Sequence, residues 1–143
     1  MPCGKTHDNI TIILVPIIFG VTYYFTNNLI DSSILLLFYL FSSFMFNGDL
    51  DVVSKPYNRW WILKFIWIPY QMMFKHRSVF THGIIIGTII RLIYLTPILF
   101  IITHFNQTNI YQIISLFETK DILITLIGLE LGSVIHTTSD KIL

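Results

Sequence analysis

The sequence predicts an all-α, polytopic membrane helical bundle of about four transmembrane helices plus an interfacial aromatic helix. Composition gives the class: of 143 residues, 12% are charged and 54% hydrophobic, against roughly 25% charged in a soluble domain. Mean hydropathy is +0.70. Four apolar runs approach the roughly 17 to 25 residues that a bilayer crossing needs, whereas a fifth, rich in tryptophan, is too short and broken to cross. The chain is expected to form one integral membrane domain over residues 1–143.

The N-terminus is polar from Lys5 to Asn9 and apolar from Ile10 to about Phe25. A single Lys precedes the run and no small-x-small site follows it, so it reads as a retained helix, not a cleaved signal. Thr6 or Asp8 is expected to cap it, which sets His7 at its mouth. Pro16 and Gly20 are tolerable because neighbouring helices can meet freed backbone groups. A polar turn at Asn27, Asn28, Asp31, Ser32 and Ser33 leads into the second run, counted from Leu29 to Phe46. That run ends in Asn47-Gly48-Asp49-Leu50-Asp51. Carboxylates at i and i+2 diverge on a helix, so the pair suits the irregular backbone that Gly48 invites.

From Val52 to Lys75 the chain mixes Lys55, Arg59, Lys64 and Lys75 with Trp60, Trp61, Trp67, Tyr57 and Tyr70. Aromatic rings among Lys and Arg mark the headgroup layer. The apolar piece, Ile62 to Phe74, holds about a dozen residues and Pro69, too few to cross. It is expected to lie on the membrane as an interfacial helix or re-entrant turn.

His76-Arg77-Ser78-Val79-Phe80-Thr81-His82-Gly83 is a polar knot ahead of the third run. Six helical steps leave His76 and His82 about 120° apart, so at least one sits in a turn, with His82 and Gly83 opening the next helix. Helix three is expected from about Gly83 to His104, with Arg91 and Pro97 inside it. His104 is expected to cap that helix or lie at the interface. A loop with Asn106, Gln107, Asn109 and Glu118 follows. Helix four is expected from about Ile122 to Thr138, with Glu130 inside it. The Asn9-Ile10-Thr11 and Asn106-Gln107-Thr108 triplets match the glycosylation pattern, a common chance match.

With four crossings and the aromatic segment on one side, His7, Asp49, Asp51, His76, His82, His136 and Asp140 all fall on one face. Lys5, Lys55, Arg59, Lys64, Lys75, Arg77 and Lys141 lie on that face against Lys120 alone on the other. Excess Lys and Arg mark the cytoplasmic side, or the stroma in a plastid. Both termini are then cytoplasmic or stromal.

His136 and Asp140, at i and i+4, project along one helix face and are able to share an ion or hydrogen-bond each other. Imidazoles with carboxylates suit Zn, Mn or Fe better than Mg or Ca. Seven candidate metal ligands exceed one tetrahedral shell, which leaves room for two ions bridged by a carboxylate such as Asp49. Cys3, the single cysteine, excludes an internal disulfide and a cysteine-type zinc site. Arg77 reads either as a phosphate contact or as a headgroup anchor. Glu130 and Arg91 lie at similar depth, where a charge is paired or functional: either an Arg91–Glu130 ion pair or a catalytic Glu130. A net charge of +1 gives no argument for nucleic acid and no Lys/Arg-rich block marks a polyanion site, so no nucleic-acid partner is expected.

The start Met-Pro-x-Gly-Lys-Thr-His-Asp, the Gly-Asp-Leu-Asp, the His-Arg-Ser-x-x-Thr-His-Gly and the Glu-Leu-Gly-x-x-x-His-x-x-x-Asp resemble small metal-binding membrane proteins of cyanobacteria and plastids. These are similar to the membrane-bound metal-dependent hydrolases. The resemblance covers nearly the whole chain, with Cys3 where Ser is expected. It implies metal binding at the seven His and Asp residues named above. The reading that follows is a membrane-embedded protein holding divalent metal that hydrolyses an ester or phosphoester at the membrane surface. Membrane lipids are its surroundings and a lipid is a candidate substrate. A non-catalytic metal-binding or assembly protein is the rival from another class. A lipid phosphate phosphatase with a histidine nucleophile ranks lower: His136 and Asp140 look similar to its His and Asp pair, but its Lys and Arg-Pro motif is absent.

Overall fold

The computed structural model describes residues 4–105 and 117–142. Cys3 and the Asn106-Gln107-Thr108 triplet lie outside the described residues, as does the side chain of Lys141. The helices are α1 (Gly4–Thr26), α2 (Leu29–Met45), α3 (Lys55–Arg59), α4 (Ile68–Met73), α5 (Val79–His82), α6 (Ile86–Phe105) and α7 (Thr119–Ile142). Tight 3-10 turns span Gly48–Asp51 and Trp61–Trp67, and the described residues contain no strand. Four helical segments are long and apolar enough to cross a membrane: Lys5–Thr26, Leu29–Asp51, Ile86–His104 and Thr119–Asp140. The predicted all-α class with four such helices is therefore observed.

α1 begins by Gly4, so Thr6 and Asp8 lie inside it and do not cap it. Asp8 instead takes Arg59 at 2.8 Å and Lys55 at 3.3 Å, tying α3 to the start of α1. Asn28 caps α2, its side-chain oxygen accepting the Ile30 N–H at 2.8 Å. α2 and α7 make the most extensive helix pair. Gly128 and Gly132, one turn apart on α7, allow it: a Cβ there would stand 2.6 Å from the Leu35 and Tyr39 carbonyl oxygens respectively. Small residues at this spacing let helix backbones approach. Ser42 Oγ then reaches across to the Leu129 carbonyl at 2.5 Å. α1 joins the pair through Tyr39 Oη, which donates to the Thr11 carbonyl at 3.0 Å. Lys120 and Asp31 form an ion pair at the opposite end.

α3, the Trp61–Trp67 turn and α4 are each far too short to cross a bilayer, and none of them is a membrane-length helix. The segment is nevertheless two-sided, not purely a surface belt. Trp61 is 79% exposed, whereas Trp67 and Tyr70 are wholly buried with Phe46, Leu50 and Leu129. Trp67 meets Trp60, Tyr70 and Tyr94 at ring centroid distances of 5.1, 5.5 and 5.7 Å. Such edge and offset contacts suit the charge distribution of aromatic rings. Trp60 Nε1 donates to the Met45 carbonyl at 2.7 Å, and Tyr94 Oη donates to the Ile66 carbonyl.

The expected third helix is split. His82 closes the short α5, Gly83 leaves the helix, and α6 starts at Ile86. His82 therefore ends one turn of helix and does not open the long one. Ile85, at φ 65°, makes the bend, a conformation strained for a β-branched residue.

Candidate metal centre

The Gly48–Asp51 turn is fixed before any ligand is considered. Buried Asn47 accepts the Asp49 N–H at 3.1 Å and donates to the Ser43 carbonyl at 2.8 Å. Ser54 Oγ donates to the Asp49 carbonyl at 2.7 Å, and Gln71 Nε2 to the Leu50 carbonyl at 3.1 Å. The turn thus aims Asp49 and Asp51 at different histidines without loose backbone.

All seven sequence-predicted residues meet in one unbroken alternation of imidazole and carboxylate. His76 Nδ1 lies 2.8 Å from Asp51 Oδ1, and Asp51 Oδ2 lies 3.6 Å from His82 Nδ1. His82 Nε2 lies 3.4 Å from Asp49 Oδ1, and Asp49 Oδ2 lies 3.2 Å from His136 Nε2. His136 Nε2 is 3.7 Å from Asp140 Oδ2, and Asp140 Oδ1 is 3.2 Å from His7 Nε2. The His7 and His136 rings stand 4.5 Å apart between centroids. Within the row, two sets have ligand atoms mutually within 4.8 Å: Asp51 with His76 and His82, and Asp49 with His136 and Asp140.

The donors fit a divalent cation on the structure's own terms. His136 Nε2, Asp140 Oδ2 and His7 Nδ1 are buried yet have no hydrogen-bond partner, although carboxylates surround them. Buried polar atoms are ordinarily satisfied, and three neighbouring carboxylates need positive charge between them. Oxygen and imidazole nitrogen donors without thiolate suit Zn, Mn or Fe.

Thr81 and Gly48, neither of them a predicted ligand, shape His82. Thr81 Oγ1 lies 2.9 Å from His82 Nδ1. Gly48 makes room for the ring, since a Cβ there would stand 2.8 Å from His82 Cδ2. The adjacency of Thr81 to a candidate ligand was the available signal for the first, and the Gly-x-x-x-Gly spacing at Gly128 and Gly132 was the signal for the α2–α7 contact.

Arg91 and Glu130 form no ion pair with each other among the described residues. Arg91 is wholly buried; its guanidinium donates to the Thr81 carbonyl at 2.9 Å, Ser133 Oγ at 2.9 Å and Thr88 Oγ1 at 3.0 Å. It also lies 5.3 Å from the Phe46 ring centroid. Burial lifts the nearby Tyr70 phenol to about 12, so that ring stays neutral beside the guanidinium. Glu130 accepts the Ile85 N–H at 2.7 Å and lines an apolar groove with Ile89, Leu92, Leu123 and Ile127. It makes no hydrogen bond or ion pair with the seven-residue row among the described residues. Arg77 does sit beside it: at φ 60° its N–H donates to Asp51 Oδ2 at 3.2 Å.

Two openings flank the row. One, of about 240 Å³, is lined by His7, Asp8, Asp49, Lys55, Arg59 and His136. The other, of about 410 Å³, is lined by Arg77, Ser78, Val79, His82, Ile84 and Thr137, and Asp140 borders both.

Fold and site together define an all-helical protein with four membrane-length helices and a His/Asp cluster of metal-ligand chemistry. The chain belongs to the family described as uncharacterized metal-binding protein (DUF2227), whose model matches residues 2–143. It is 43% identical over 58 residues to an uncharacterized protein of Aquifex aeolicus (strain VF5), a stretch covering 40% of each chain. No solved structure matches it.

Proposed function

We propose that the seven His and Asp residues are the ligands of a centre holding up to two divalent ions, in a single membrane-embedded domain. The centre serves the metal-dependent hydrolysis of an ester or phosphoester at the bilayer surface. The observation that carries this reading is Asp49, whose two carboxylate oxygens face two different histidines at the junction of the two ligand sets. A divalent ion held there supplies Lewis acidity, lowering the pKa of water and offsetting charge on a phosphoryl or carbonyl oxygen.

The chain's own groups have distinct tasks. Thr81 Oγ1 donates to the Ser78 carbonyl at 3.2 Å, which frees it to accept the Nδ1 proton of His82 in the tautomer that turns the Nε2 lone pair to the Asp49 side. Asp51 orients His76 and, through the Arg77 N–H, fixes the base of the Arg77 side chain beside the cluster. Arg77 then offers a forked cation to an anionic ester group. The excess of Lys and Arg on this side supports a cytoplasmic orientation, or a stromal one if the membrane is that of a plastid.

The test is metal analysis of the protein purified in detergent, followed by ester and phosphoester hydrolysis assays with and without added Zn and Mn. Wild type is expected to carry metal, and Asp49→Ala and His82→Ala to lose it together with turnover. Bound metal with no turnover of any ester would favour a metal-storage or assembly role; wild-type protein devoid of metal would refute the centre.

A further inference from the structure

The two openings beside the His/Asp row differ in chemistry. In the smaller one, Lys55 and Arg59 are already engaged by Asp8. In the larger one, Arg77 is exposed and has no ion-pair partner among the described residues, and beside it stand Val79, 64% exposed, and Ile84, 57% exposed. Ser78 and Thr137 add hydroxyls, and His82 and Asp140 bring the cluster to the same cavity. A free cation next to a candidate metal centre, with an apolar wall of Val79 on α5 and Ile84 just ahead of the membrane-length α6, is a two-part site: polar at one end and greasy at the other.

We infer that the cavity of about 410 Å³ binds a single-chain amphiphile with a phosphate-monoester head, admitted sideways from the bilayer, while the smaller opening serves the aqueous side. This rests on the metal-centre reading above. The head lies between Arg77 and the cluster, and the tail runs over Val79 and Ile84. Charge favours that head: the three carboxylates of the two ligand sets would leave two divalent ions with one positive charge, and Arg77 adds a second. A phosphate monoester carries about −1.5 to −2 at neutral pH and matches it. The seat of Arg77 is defined as well, because its left-handed backbone is held by Asp51, itself one of the candidate ligands.

Octylphosphonate, whose P–C bond resists hydrolysis, and methylphosphonate carry like heads and differ in the tail. Both would be titrated calorimetrically into the zinc-loaded full chain in phosphatidylcholine nanodiscs, with empty discs subtracted and metal content measured in parallel. Octylphosphonate is expected to bind at least about tenfold more tightly, as buried methylenes add affinity. Val79→Trp and, separately, Ile84→Trp should abolish that advantage while methylphosphonate affinity and metal content stay unchanged. Arg77→Gln should weaken both ligands. Equal affinities in metal-loaded wild type, or a tail preference that neither tryptophan alters, would overturn the inference and leave the metal centre standing. Wild-type protein that holds no metal would instead remove the centre, and this inference with it.

Discussion

Asp49, in the turn that follows α2, faces His136 on α7: Asp49 Oδ2 lies 3.2 Å from His136 Nε2, while Oδ1 of the same carboxylate lies 3.4 Å from His82 Nε2 on α5. One side chain thereby links the extension of α2, the α5 turn and α7. Removing it should be unlike removing either end of the row. Asp49→Ala is expected to lose most bound metal, whereas His76→Ala and His7→Ala, which delete only the outermost groups, should retain a share of it. Elemental analysis of the three variants against wild type checks this; equal losses would speak against a bridging carboxylate.

Gly48→Ala puts a methyl where the His82 ring now lies, 2.8 Å from Cδ2. The ring is held by Thr81 and Asp49 and has little freedom to move aside. The helices should remain folded while metal affinity drops by about 10–100-fold, the usual scale for disturbing the support of a ligand. Competition with a fluorescent chelator reads the affinity, and circular dichroism the helix content.

Arg91 and Glu130 offer a clean contrast between a depth argument and actual contacts. Exchanging their charges would rescue an ion pair, but Arg91 serves Thr81, Thr88 and Ser133, and Glu130 serves Ile85. The double variant Arg91→Glu with Glu130→Arg is therefore expected to be no more stable than the worse single variant. Arg91→Met alone should cost about 1–3 kcal/mol through the unmet Thr81 carbonyl and hydroxyls. Thermal unfolding in detergent measures the four variants against wild type.

Gly132→Leu drives a side chain at the Tyr39 carbonyl, with the Cβ itself only 2.6 Å away. Backbone cannot yield as a side-chain tip does, so α7 must move away from α2 and carry His136 and Asp140 with it. A destabilisation of about 1–3 kcal/mol from overpacking is expected, together with reduced metal content. An unchanged metal load at lower stability would separate the helix contact from the site.

Chelation should destabilise the folded protein, because Asp49, Asp51 and Asp140 then crowd together without a cation. A ligand present at about a hundred times its dissociation constant adds about 2.7 kcal/mol to the folded state. The melting temperature should fall on treatment with EDTA and recover on adding Zn or Mn, but not after Asp49→Ala.

Much of the candidate site was legible because apolar run length gives the number of membrane-length helices, and so the end of the bundle at which each polar motif falls. His7 and Asp140 are near opposite ends of the chain, yet an even number of membrane-length helices between them returns both to one end of the bundle. The same reasoning failed for Arg91 and Glu130. Residue counts along a helix give depth, but azimuth depends on how each helix is rotated against its neighbours. The Trp-rich segment was also half-read: its length ruled out a crossing, while the burial of Trp67 beneath Trp60 and Tyr70 depends on contacts with Phe46 and Tyr94 from distant positions.

The sequence by itself determined four membrane-length helices, an aromatic segment too short to be a fifth, and the one end of the bundle at which seven His and Asp residues gather. These follow from hydrophobic run length and backbone rise, which are local quantities. Only the tertiary structure decided that those residues alternate in one row with Asp49 at its middle, that Thr81 and Gly48 set the His82 ring, and that Arg91 braces the Thr81 carbonyl. Those outcomes depend on interhelical distance and rotation. The close approach of Gly128 and Gly132 to α2, and the bend at Ile85, settle these at residues that are not themselves ligands.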